Sequence, residues 1–334
     1  MIKSGLVKDG VSKLNGVKFN RDNSCFVLAH ENGFKVFNSD PMVEWISRDF
    51  TDGGLGQVAL LERTNCLALV GGGKHPKYPT NKVAIWDDMR DQAVTLLEVN
   101  SPVLNVFITK TRVVILTINQ VTVYSFGASP SILATFDTAS NPQGVGAMAN
   151  GLLVVPAIAE GRVQLIETEN GECRILGLLR AHKSTIRALA INSRFIATAS
   201  VTGTIIRVFR IESKTVIHEF RRGLDKADIF SLAFSPSDQL ACLSDKKTLH
   251  IYDMHAGINR RHALQGLPLG PKYLKSEWSY VSAHTEHATE GVLGWIDDRC
   301  LVAVWLQAMR WEKYTVLPEA GELVREAWRR LTVE

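Results

Sequence analysis

One strand pattern returns six times along this chain at nearly even spacing, and that repetition limits the available folds more than any other feature. The copies read "GFKVFNS", "KVAIWDD", "QVTVYSF", "RVQLIET", "IIRVFRI" and "TLHIYDM". Each has a polar or turn-prone approach, an aliphatic core in strand alternation and a bulky residue at one register. Those residues are Phe37, Trp86, Tyr124, Ile166, Phe209 and Tyr252, with successive spacings of 49, 38, 42, 43 and 43 residues. The strand before each copy recurs as well: "SCFVLAH", "CLALVGG", "RVVILTI", "GLLVVPA", "RFIATAS" and "QLACLSD". A period of roughly 40–45 residues with about four short strands per unit is the signature of a β-propeller blade. A seventh unit fits 281–333, where "DRCLVAVWL" and "RWEKYTVL" supply two strands. The expectation is an all-β chain, a single seven-bladed β-propeller over residues 1–334. A pair of β-sandwiches would not produce six evenly spaced copies of one strand.

The length of 334 residues suits one large β domain, which at this size buries about three quarters of its surface. The net charge of +4 is mild, so strong anion binding requires local clustering, and no nucleic-acid partner is expected. The apolar runs "RVVILTI" and "LLVVPAIA" are strand-sized, and "MIKSGLVKDG" holds no apolar core of signal-peptide length. The five cysteines are odd in number, scattered and without CxxC spacing. This pattern argues against a disulfide framework or a zinc site and for a reducing compartment. The chain reads as cytoplasmic and monomeric in solution, with any membrane contact peripheral.

Two stretches break the rhythm: 71–82 ("GGGKHPKYPTNK") and 255–280, an insertion late in the sixth unit. "GGGK" lacks the GxxxxGK[ST] spacing of a phosphate-binding loop, and Pro76 and Pro79 stand where its helix would start; a turn feeding a rim loop is expected. "HTEH" places His284 and His287 at a loosely metal-like spacing, but without a third ligand nearby it reads as a solvated loop. GxSxG and HExxH are both absent. Neither catalysis, a cofactor nor a metal is expected.

The basic constellation in the fifth and sixth units is different. It is centred on "HEFRRG", where Phe220 and Gly223 bracket Arg221 and Arg222 at a strand end. Successive strand side chains point to opposite faces, so adjacent arginines serve two pockets, or one of them is idle. Polar groups lie on both sides in sequence. "AHKSTIR" and "ATASVTGT" come before the pair, and "IFSLAF" and "LSDKKTLH" come after it. Arginine forks, hydroxyls and imidazoles are the donors a phosphomonoester needs. Both arginines are expected to be surface groups.

These residues resemble the PROPPIN family, the phosphoinositide-binding WD-repeat β-propellers of autophagy. "FRRG" after "ATAS…GT" and before "SDKKTLHIY" carries the resemblance, with "FNRDNSCFVLAHENGFKVFNSDP" in the first blade, "ERTNCLALVGGGKHPKYPTNKVAIWDD" in the second, "PKYLKSEWS" at the exit of the sixth and "VREAWRR" near the C-terminus. The short sixth-blade insertion points to the compact branch. The resemblance implies two sites for phosphatidylinositol 3-phosphate and 3,5-bisphosphate on the rim. Site one would use His182, Ser200, Thr204 and Arg221, and site two Arg222, Ser231, Ser244, Thr248 and His250. Many members carry a lysine two residues after the "ATAS" serine, where this chain has Thr202. The family's sixth-blade loop enters the bilayer, which assigns Leu264, Leu267 and Leu269 to an apolar finger ringed by bases. Asn20 and Asp22 match positions implicated in binding a lipid-transfer partner, although such residues most often shape a turn. The resemblance implies recruitment of autophagy or endolysosomal proteins to preautophagosomal, endosomal or vacuolar membranes. The competing reading is a protein-only WD-repeat scaffold whose arginines bind acidic peptides.

Overall fold

The computed structural model describes residues 14–169, 171–255, 257–261 and 277–333. Seven sheets follow one another along the chain, each built on four antiparallel strands in sequential order, with two short insertion strands intervening before the fourth strand of the sixth sheet. They are blade 1 (residues 14–49), blade 2 (55–98), blade 3 (105–137), blade 4 (147–180), blade 5 (186–221), blade 6 (229–284, insertion included) and blade 7 (291–330). There is no helix among the described residues.

The recurring bulky residue has a consistent structural place. It is the fifth residue of the third strand in every blade, with Tyr314 of Arg310–Leu317 as the seventh example. In six blades the pairing with the outer strand shifts register at that residue, as at Val36/Phe37, Ile85/Trp86 and Lys313/Tyr314. Such a bulge bends and twists the outer strand around the side chain. Blade 6 is the exception: its third strand Thr248–Tyr252 pairs with Val281–His284 without a shift.

The core is a ring rather than one centre. Each of seven hydrophobic clusters joins a neighbouring pair of blades, as where Phe220 and Tyr252 meet between blades 5 and 6. Closure between blades 7 and 1 uses side chains. Phe26, Leu28 and Phe37 pack with Val302, Val304 and Trp311, and Trp311 Nε1 donates to Ser39 O at 3.1 Å. Lys313 Nζ lies 2.8 Å from Asp40 Oδ2 across the same seam.

The two irregular stretches brace neighbouring blades. In the 71–82 loop, Lys74 N donates to Glu31 Oε2 at 2.8 Å and Lys77 Nζ sits 2.6 Å from Asp52. Its amide and ammonium donors therefore hold a carboxylate of blade 1 and one of the connection between blades 1 and 2. The late sixth-blade insertion crosses to blade 5, where Glu277–Trp278 runs parallel to the outer strand Val216–Arg221 and Arg260–Arg261 pairs on its far side. The edge of blade 5 is thereby extended to six strands. All five cysteines are free.

Candidate functional site

Strand polarity brings the blade 5 residues to one end of the sheet. The second strand ends and the fourth strand ends there, so the rungs Ile186–Ser200 and Ile205–Arg221 are terminal. Thr204 sits in the intervening turn, and its carbonyl accepts from Arg222 N at 3.0 Å. Gly203 in that turn has φ +63°, and a Cβ there would lie 1.9 Å from Ala227 O. Only glycine lets this turn lock against the connection between blades 5 and 6.

A set of hydroxyls surrounds Ser200. Its Oγ is 2.6 Å from Thr202 Oγ1, which lies 3.4 Å from Ser184 Oγ. Thr202 is thus a node between two serines. His182 turns into the blade, with Nε2 2.9 Å from Thr198 Oγ1 and 3.1 Å from Thr198 O. Burial pushes its pKa down to about 4, with a smaller contribution from Arg207, so the ring is neutral at pH 7.

The paired arginines are not equivalent. Arg221 is the last rung of its strand, half-buried, with Ile205 on one side and Trp278 on the other. Arg222 leaves the ladder and is buried, at 7% exposure. Its Nε donates to Gly203 O at 3.0 Å and its Nη2 to Asp225 O. The expectation that both are surface groups therefore fails for Arg222, because the turn and connection close over its guanidinium. Its charge acts on Cys242, Tyr252 and His250 of blade 6.

On blade 6, Ser244 and Thr248 share the terminal rung, with hydroxyls 3.3 Å apart. His250 lies two residues along the same strand, its Nδ1 3.0 Å from Ser279 Oγ. Burial, then the Arg222 and His284 charges, push its pKa down to about 4. Ser231 is not brought to this group. It sits on the inner strand Ile229–Phe234, and its Oγ accepts from Leu293 N of blade 7 at 3.1 Å. Leu264, Leu267 and Leu269 lie outside the described residues. Asn20 is buried beneath its own turn, its Oδ1 accepting from Cys25 N at 3.1 Å; Asp22 is exposed and accepts from Ser24 N at 3.1 Å.

Other charged residues sort themselves by their partners. Arg187 is paired with Asp228, Nη2 to Oδ2 at 3.2 Å, and Arg207 with Glu219 at 2.9 Å. His287 is not in a solvated loop; its ring packs 5.0 Å from that of Trp305, and Nε2 lies 3.6 Å from the fully buried Glu312. Glu286, His287 and Glu312 converge. Their carboxylates are already held: Glu312 by Trp305 Nε1 (3.0 Å), Tyr314 OH (2.6 Å) and Arg325 (3.0 Å), and Glu286 by Arg310 (2.6 Å) and Arg325 (2.7 Å). This is a closed ion network and a poor cation site.

Sequence reasoning missed Ser279, Glu277 and His218, which bind the insertion's exit to both blades. The "SEWS" stretch held Glu277 and Ser279, and "HEFRRG" held His218. His218 Nδ1 lies 3.3 Å from Glu277 Oε2, and its Nε2 is 3.1 Å from Met254 O.

Seven sheets of four strands each, one of them extended to six, with a basic, hydroxyl-rich cluster at the junction of blades 5 and 6, define a seven-bladed β-propeller. The PROPPIN family model matches residues 13–266. The "SVP1-like protein 2" of Pichia angusta is 41% identical over 93% of each chain, and that of Debaryomyces hansenii is 34% identical over 92% of this chain and 88% of its own. The crystal structure of Kluyveromyces marxianus Hsv2 superposes with a TM-score of 0.81 at 28% identity, over 96% of this chain and all of that one. The chain belongs to the PROPPIN family of phosphoinositide-binding, autophagy-related β-propellers. Among the described residues, no helix is long and apolar enough to cross a membrane.

Proposed function

We propose that the chain binds phosphatidylinositol 3-phosphate and 3,5-bisphosphate through two pockets, one on each side of the arginine pair. The blade 5 pocket comprises His182, Ser200, Thr204 and Arg221. The blade 6 pocket comprises Arg222, Ser244, Thr248 and His250; Ser231, whose hydroxyl takes Leu293 N of blade 7, is left out of it. The observation that carries this reading is the inequivalence of the two arginines. One ends the blade 5 ladder; the other is buried against blade 6 and, among the described residues, donates to carbonyl oxygens. A carbonyl satisfies the donor but leaves the positive charge available to a phosphate.

Binding rather than turnover is the proposed activity. The apolar finger of Leu264, Leu267 and Leu269 would retain the protein on the cytosolic face of preautophagosomal, endosomal or vacuolar membranes. The exposed turn at Asp22, shaped from beneath by Asn20, is the proposed contact for a lipid-transfer protein. Calorimetry with a short-chain 3-phosphorylated lipid tests the pockets: two head groups per chain are expected. One head group, lost equally with either single arginine change, means a single shared pocket. Flotation that ignores 3-phosphorylated lipid returns the chain to the acidic-peptide reading.

A further inference from the structure

Four residues at the end of the sixth-blade insertion, Glu277–Tyr280, touch both proposed pockets. Glu277 and Trp278 pair with Phe220 and Arg221 of blade 5. Tyr280 is anchored in blade 6, where its amide donates to Ile251 O at 3.1 Å and its hydroxyl to Gln239 Oε1 at 2.5 Å. Ser279 is held between these anchors, 9% exposed, with its Oγ 3.0 Å from His250 Nδ1. His250 is itself confined. Its ring stacks 6.3 Å from that of Tyr252, which stacks on Phe220 at 4.7 Å and donates its hydroxyl to Arg221 O at 3.2 Å.

A neutral imidazole has one N–H, and the partner of one nitrogen decides which nitrogen carries it. An ionised phosphate oxygen can only accept. If Ser279 accepted from Nδ1–H, Nε2 would present a lone pair to the anion and repel it. If Ser279 donates to Nδ1, Nε2 becomes a donor. No group among the described residues bonds Nε2.

We propose that Ser279 is a positioning residue for the blade 6 pocket: its hydroxyl donates to His250 Nδ1 and fixes the Nε2–H tautomer, which makes the neutral imidazole a donor to phosphate. This rests on the reading of blade 6 as a phosphate pocket. The low pKa of His250 supports it, since tautomer rather than charge then controls the ring at pH 7.

The test is nitrogen NMR of histidine-labelled protein at pH 7, with and without short-chain phosphatidylinositol 3-phosphate, beside calorimetry. Wild type should show His250 as the Nε2–H tautomer in both states. Ser279→Ala should mix the tautomers and weaken the blade 6 site about threefold to tenfold, the range for one lost hydrogen bond, with the blade 5 site unchanged. Ser279→Thr should restore both readouts. An Nδ1–H or doubly protonated ring in a wild-type chain that binds two head groups overturns the proposal and leaves the pocket standing. Unchanged tautomer and affinity in Ser279→Ala does the same. A wild-type chain that binds nothing at blade 6 overturns the pocket and the role of Ser279 with it. Should Ser279→Ala not fold, the wild-type tautomer and the Ser279→Thr variant still decide.

Discussion

Blade 7 and the junction of blades 5 and 6 gather the same kinds of residue, yet they do opposite things with them. In blade 7, Arg310 and Arg325 meet Glu286, and Arg325 also meets the fully buried Glu312, whose other oxygen takes Trp305 and Tyr314. Each charge of that network has its counter-charge within the fold. At the junction, Arg222 is buried on carbonyl oxygens beside two hydroxyl pairs and a neutral histidine. On the proposed reading, an arginine–histidine cluster receives an anion only where the fold withholds the internal carboxylate. The same criterion separates Arg187 and Arg207, which are paired, from Arg222 within a single stretch of chain.

The largest effect expected from this contrast is on stability, in blade 7. Glu312→Gln removes the charge that two arginines and two aromatic donors surround. Breaking one partner of a buried pair costs about 3–5 kcal/mol, read by denaturant unfolding. Head-group affinity of the folded variant should not move. A loss below about 1 kcal/mol would show that the network is not closed as described.

At the junction the large effect should instead be on binding. Two pockets on one membrane gain avidity of roughly 10²–10⁴ over either alone, so Arg221→Ala or Arg222→Ala should cost liposome binding far more than twofold. Their stabilities should diverge. Arg222→Ala leaves the Gly203 and Asp225 carbonyls without their donor and costs about 1–3 kcal/mol, whereas Arg221→Ala costs less. Equal destabilisation by the two would erase the distinction between them.

Acid should act on the junction next. His182 and His250 are held near a pKa of about 4 when folded, against an ordinary value of 6.5. Between those values the unfolded chain binds more protons. The stabilisation is therefore complete above pH 6.5 and drains away as pH falls toward 4, by about 1.4 kcal/mol for each histidine and each pH unit crossed. His250→Gln should flatten the acid limb of the stability profile; an unchanged limb would mean that the ring is already charged.

The smallest effects belong to the first-blade turn. Asn20→Ala removes buried bonds to Cys25 and Ser24 and should cost about 1 kcal/mol, while Asp22→Ala should cost a few tenths. If Asp22 contacts a lipid-transfer partner, pull-down should fail with Asp22→Ala while the chain stays folded. Retained capture would confine both residues to shaping the turn.

What is local and periodic in this protein is legible in the chain alone. Alternation within strands and a repeat near 43 residues prescribe blades, and the recurring bulky residue keeps one register through six of them, to which the structure adds Tyr314 in the seventh. Two adjacent arginines at a strand end already imply two different surroundings, since side-chain direction reverses at each residue. Which surroundings those are depends on segments far away in the chain. Arg222 is buried because a glycine turn nineteen residues earlier folds onto it, and Ser231 faces Leu293 because the inner strands meet around the axis. Ser279 reaches His250, and Trp278 reaches Arg221, only because an insertion crosses from one blade to the edge of another. Glu312 is joined to Glu286 through Arg310 and Arg325, which come from two further strand positions. Periodicity records which face of a strand is covered, but not which distant segment covers it, because that partner is chosen by the packing of whole blades around a closed ring.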